Sequence, residues 1–181
     1  MVLKIIVVLV AIISVALVVA MFSKNKYSLS REVTINKPRQ EVYDYLKLLH
    51  NQKAFSKWLS LDPDTEISYK GAADGTSGAI LTFNSKDKKA GRGEWEMKRL
   101  SATERIDFEL RFLAPYNFTA NGYFALSDTG APGETKVLWV YNSGMKWPAN
   151  FMLLFLDMDK IIGNDIAESL ANLKHNLERG S

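Results

Sequence analysis

His50 and His175 are the two histidines of this 181-residue chain, and an imidazole could serve as a base or a metal ligand near neutral pH. Neither has a second ligand at zinc-like spacing, so no metal site is expected. His50 falls at the end of a helical pattern, where a partial positive charge suits the helix dipole. His175 lies between Lys174 and Asn176 near the chain end. Asp157, Asp159 and Asp165 gather near a helix start, where one could act as an acid and Asp159 could cap a helix beginning at Lys160. Asp107 and Glu109 alternate with Arg105 and Arg111 and are placed to pair with them across strands. Cysteine is absent, which excludes disulfides, thiolate nucleophiles and cysteine-ligated metals. No serine nucleophile elbow and no phosphate-cradling glycine loop occurs. These residues form no catalytic constellation and imply no cofactor.

The aromatic side chains carry the stronger functional hint. Phe83, Trp95, Phe108, Phe112, Phe124, Trp139 and Tyr141 share the inward parity of their strands. Met152, Phe155, Met158 and Ile162 could face them from a C-terminal helix, and Trp58 could stand at an opening gated by the 71–78 turn. Pockets for small molecules are mostly apolar, so this set could line a ligand cavity. Aromatics and methionine also fill ordinary cores, and the pattern alone does not separate the two.

The elements that must position these residues follow from periodicity. Residues 28–36 alternate as a half-buried strand, with Leu29, Arg31, Val33 and Ile35 on one face. Pro38 suits the first turn of the helix that follows, and a short helix is expected over 52–58. Strands are then predicted at 65–70, 78–84, 91–99, 104–112, 117–127 and 135–142, separated by turn signals. The charged turn between the second and third of these carries Lys86, Lys88 and Lys89, with Arg92 just beyond. From Asn150 to Glu178 the chain reads as one long helix. Its apolar stripe is Met158, Ile162, Ile166, Leu170, Leu173 and Leu177. Gly163 interrupts it, either for a close approach or as a kink. An α+β architecture results: a curved antiparallel sheet of about seven strands wrapped on a long C-terminal helix.

The amino terminus is separable. Residues 5–22 carry no charge and, as a helix, reach roughly 27 Å, near the hydrocarbon thickness of a bilayer. Residues 1–23 are therefore expected to form a single-pass membrane anchor, with a cleaved signal peptide as the rival reading. Residues 24–28 form a linker and 29–179 the folded domain. Lys24, Lys26 and Arg31 after the span outnumber Lys4 before it, which by the positive-inside count puts the domain in the cytoplasm. Short amino-terminal anchors often break that count, which leaves the side open. A formal net charge of +3 without a basic helix argues against nucleic acid.

The order strand, two helices, six strands, long helix resembles the helix-grip fold of the SRPBCC or START-like superfamily. Within it, REVTINKPRQEVYDYLKLLHNQKAFSKW and GNDIAESLANLKHNLE resemble the opening and closing segments of the polyketide cyclase/dehydrase and lipid-transport group, as in small membrane-anchored bacterial members. The resemblance spans about 27–178 and its motifs are structural. It implies a deep apolar cavity between sheet and helix for a lipid or other hydrophobic small molecule; with the N-terminal anchor, the chain is expected to be a membrane-tethered monomer. It also leaves open a cyclase or aromatase activity, or a chaperone-cofactor-like interaction domain with a filled core.

Overall fold

Strict alternation of apolar and polar residues produces a sheet with one buried face. The computed structural model describes residues 1–179. Seven strands run β1 (Lys26–Ile35), β2 (Glu66–Gly71), β3 (Ala79–Asn84), β4 (Arg92–Ser101), β5 (Arg105–Ala114), β6 (Phe118–Asp128) and β7 (Thr135–Gly144). They pair antiparallel in the order β1-β7-β6-β5-β4-β3-β2, so the first strand closes on the last. In β5, Ile106, Phe108, Leu110 and Phe112 are buried, as the alternation predicts. On the outer face Arg111 bonds Glu94 at 2.8 Å and Glu96 at 2.5 Å and also meets Glu109, while Arg105 pairs with Asp107.

Between β1 and β2 the chain crosses the inner face through α2 (Arg39–Leu46), a 3-10 turn at Leu49–Asn51, α3 (Gln52–Phe55) and α4 (Lys57–Ser60). The single helix expected over 52–58 is thus two four-residue pieces. Helices that short are not stable alone. The final helix, α5 (Asn164–Arg179), holds them: Asn172 and Asn176 side chains donate to the carbonyls of Phe55 (3.4 Å) and Ala54 (2.9 Å). Ser169 Oγ accepts the N–H of Lys57 at 2.9 Å and donates to Asp165 O at 2.7 Å.

The C-terminal helix is not continuous from Asn150. The chain makes a 3-10 segment (Ala149–Leu154), breaks at 155–158, then takes a π-helical turn (Asp159–Gly163) into α5. Three causes are visible. Asn150 turns its side chain to the carbonyls of Ala20 (2.7 Å) and Ser23 (3.3 Å), and Asp157, not Asp159, caps the N–H of Lys160. Apolar steps of four from Met158 to Leu170 also drift by about 40° each on an ideal α-helix, and the wider π turn absorbs that drift. Gly163 permits close approach of a strand: a Cβ there would collide with the Arg31 guanidinium, which bonds Asp159 at 2.8 Å. Ile166, Leu170, Leu173 and Leu177 are buried, as the stripe predicts.

At the other end of the chain, α1 (Val2–Phe22) is a 21-residue helix of mean hydropathy 3.3 whose side chains are almost all exposed. Among the described residues it is the one helix long and apolar enough to cross a membrane.

Candidate functional site

The space between sheet and α5 is filled by rings. Trp139 sits at the centre, with Phe124 4.7 Å, Trp58 6.0 Å, Trp95 6.0 Å, Phe108 6.1 Å and Phe55 6.3 Å away between centroids. Phe83, Trp95, Phe108, Phe112, Phe124, Trp139 and Tyr141 are all buried in this one cluster, so the inward parity holds for each, and Trp58 joins them from α4. Ile162 packs half-buried against it. Phe155 and Met152 do not line it: Phe155 is 74% exposed and stacks edge-on with Phe151, and Met152 is 52% exposed. Met158 is half-buried in the break before the π turn. The discontinuity of the helix is the reason, since it swings 149–158 away from the core.

The deep cavity implied by the resemblance is occupied by these side chains. What opens there is a cleft of about 100 Å³, well below the ~300 Å³ at which ligand pockets begin. Its walls are Phe112, Phe118, Tyr141 and Trp58 on one side and Ile161 and Ile162 on the other, with Lys88–Ala90 and Ala114–Tyr116 at the rim. Phe112 and Phe118 stack at 4.5 Å, which continues the β5–β6 pairing into an apolar wall. Gly91 lets the tip after β3 fold against β5, because its φ of +62° and its contact with the Ala114 carbonyl exclude a side chain.

One polar clamp closes this mouth. Asp165, 5% exposed, accepts from Trp58 Nε1 at 3.1 Å and from Lys89 Nζ at 2.9 Å, joining α4, α5 and the β3–β4 tip. Both carboxylate oxygens are engaged, so Asp165 acts as a tie between elements. Lys89 is therefore a mouth residue and not part of a freely solvated turn. Burial, with Tyr27 nearby, pushes the Tyr141 hydroxyl far above the usual phenol range, so it stays protonated. The indole N–H groups of Trp95 and Trp139 have no hydrogen-bond partner in the protein, nor do Ser56 Oγ and Gln52 Oε1. A buried donor left unpaired costs about 1–3 kcal/mol.

His50 bonds Asp74 at 2.7 Å on the exterior. Asp74 also accepts the N–H groups of Leu49 (2.6 Å) and His50 (3.2 Å); burial raises its pKa, yet these bonds hold it below the usual carboxylate range. The 71–78 turn is thereby pinned to the 3-10 segment. The strand register puts it at the opposite end of the sheet from the cleft, so it does not gate the Trp58 opening. Among the described residues no cluster of His, Asp and Glu could hold a metal ion.

Three cleft residues, Phe118, Tyr116 and Ile161, are not among those expected from the sequence, and Lys89 of the charged turn reaches the mouth as well. Asp165, expected from the sequence as a possible acid, is instead a tie between elements. A signal for it exists: Asp165, Ser169 and Leu173 recur at steps of four and share one helical face, so a carboxylate there faces the core margin.

No family model matches the chain, and no curated protein matches it. Solved structures do. A Nitrosospira multiformis protein is 17% identical with a TM-score of 0.58, covering 83% of this chain and 96% of that one. Ara h 8.0201 is 11% identical with a TM-score of 0.59, covering 85% and 99%. The di-domain ARO/CYC BexL is 16% identical with a TM-score of 0.58, covering 84% of this chain and 50% of that one. The chain has the helix-grip fold. In this chain the C-terminal segment is interrupted before α5, and the apolar α1 precedes the helix-grip domain.

Proposed function

We propose that this helix-grip protein is a membrane-anchored module that binds a hydrophobic small molecule or lipid carrying a hydrogen-bond acceptor. The supporting observation is the pair of buried, unpartnered indole donors, Trp95 and Trp139, in an otherwise apolar ring cluster that adjoins the cleft through Trp58. A carbonyl, ester or hydroxyl oxygen delivered there would remove an unpaired-donor cost that the free protein carries. Entry requires the rings beside the cleft to part, because 100 Å³ admits only the tip of a ligand. The Asp165 tie is the joint that would open. Helix α1 supplies the anchor.

The dense packing of the cluster also favours a second reading, a protein-interaction domain with a permanently filled core. Native mass spectrometry of the full chain, released from membranes in mild detergent, separates the two. A bound apolar species in one-to-one stoichiometry, weakened by Trp139→Phe, supports the binding module. A chain that emerges empty and gains no mass on addition of lipid extract refutes it and favours the interaction domain.

A further inference from the structure

The register of the sheet sorts its loops into two ends. Lys26 pairs with Gly144, Phe112 with Phe118, Arg92 with Ala114 and Asn84 with Arg92. The exit of α1, the β3–β4 tip, the β5–β6 turn and the segment after β7 therefore lie together. Apart from α1 and its capping Met1, eight large apolar side chains are exposed among the described residues, and all but Tyr69 belong to this end: Leu113, Tyr116, Trp147, Met152, Leu154, Phe155 and Ile161. Such a concentration is unlike the single exposed apolar residues scattered over ordinary surfaces.

The patch is continuous with α1. Trp147 Nε1 donates to Leu17 O at 3.3 Å, and Asn150 Nδ2 donates to Ala20 O at 2.7 Å, which buries Ala20. Leu17 lies five residues before Phe22, about 7.5 Å back along the helix axis. If α1 spans a bilayer, the indole of Trp147 sits at the headgroup level, where tryptophan partitions well. Exposed Lys24, Lys86, Lys88 and Lys146 surround the patch. Of the acids beside them, Asp62 and Asp87 are turned to the N–H groups of Lys86 (2.9 Å) and Lys89 (2.7 Å).

We infer that the 145–158 segment and Tyr116 form an interfacial surface that lies in the bilayer beside α1 and sets the mouth of the cleft against the lipid. The occupant of this surface is the membrane itself, and the ligand passes between bilayer and cleft without crossing water. Tyr116 and Ile161 belong to both the patch and the cleft wall, which makes the two one continuous apolar path. The inference rests on the anchor reading of α1, and the test separates the two.

The chain has no cysteine, so single cysteines can be introduced for labelling. Full-length Phe155→Cys, Tyr116→Cys, Ile12→Cys and Ala131→Cys would each carry an environment-sensitive fluorophore in vesicles of phosphatidylcholine with phosphatidylglycerol. Quenching by nitroxides placed at different acyl depths is then read. Residue 131 lies beyond β6, roughly 35 Å from the patch, and serves as the aqueous control. The expected result is deep quenching at 12, shallow quenching at 116 and 155, and none at 131. Labels at 116 and 155 that stay water-exposed while 12 is deeply quenched overturn the interfacial surface and leave the anchor standing. Blue-shifted but unquenched labels at 116 and 155 mean that protein covers the patch, which also overturns it. An unquenched label at 12 removes the anchor and the inference with it.

Discussion

The Asp165 clamp makes a quantitative prediction. Replacing Asp165 with Ala removes the acceptor of the Trp58 indole, which is 5% exposed, and releases Lys89. An orphaned buried N–H costs about 1–3 kcal/mol. The ion pair adds little, because the Lys89 side chain is half exposed and water replaces its partner. Asp165→Ala should therefore destabilise by about 2–3 kcal/mol. Asp165→Asn keeps a carbonyl acceptor for the indole and gives up only the charge, so its cost should stay below about 1 kcal/mol. At this chain length 1 kcal/mol corresponds to about 2–4 °C, so the alanine variant should melt about 4–12 °C lower and the asparagine variant within about 4 °C of the parent. Thermal unfolding of the full chain in detergent, followed by circular dichroism, measures both. Equal losses in the two variants would show that the indole bond contributes nothing and that the mouth is held by packing alone.

Other perturbations test other parts of the fold. Lys70 with Arg111 holds Glu94, and Lys98 with Arg111 holds Glu96, below the usual carboxylate range; depressed folded-state values add stability above the ordinary glutamate pKa and lose it as pH falls through them. Urea midpoints should therefore drop below about pH 4.5, and Arg111→Ala should flatten that drop. Leu173→Ala, at a fully buried position of α5, should cost about 2–5 kcal/mol in urea unfolding. Gly163→Ala should shift the melting temperature by less than about 3 °C, since only the tip of the Arg31 side chain must move; a large loss would mean that the π turn itself depends on glycine.

Strand parity was the most legible part of this protein. Phe108 and Trp139 could be assigned inward because a period of two has only two outcomes, and one face of each strand is apolar. The Asn150–Glu178 stretch was harder, since apolar steps of four fit both a continuous helix and one interrupted by a π turn. The interruption depends on Asn150 bonding α1 and on Arg31 arriving beside Gly163, contacts 127 or more residues apart in sequence. The same distance hides the site. Lys89 reads locally as a turn residue, and only the fold brings it 76 positions along the chain to Asp165. Whether inward aromatics enclose a void or abolish it depends on ring-to-ring geometry, which periodicity does not encode.

The sheet is open, and its two rims are not alike. β1 is shielded by α5 and the π turn, whereas β2 has β3 alone as a neighbour and is exposed along nearly its whole length. A row of backbone amides left facing solvent is a template on which a foreign strand can grow. Glu66 and Lys70 stand on that rim, tied sideways to Asn84 and Glu94. An incoming chain would have to strip water from both charges before its first ladder bond formed. The brevity of β2, six residues, limits what such a chain could gain in return, so self-association along this border is disfavoured from the outset.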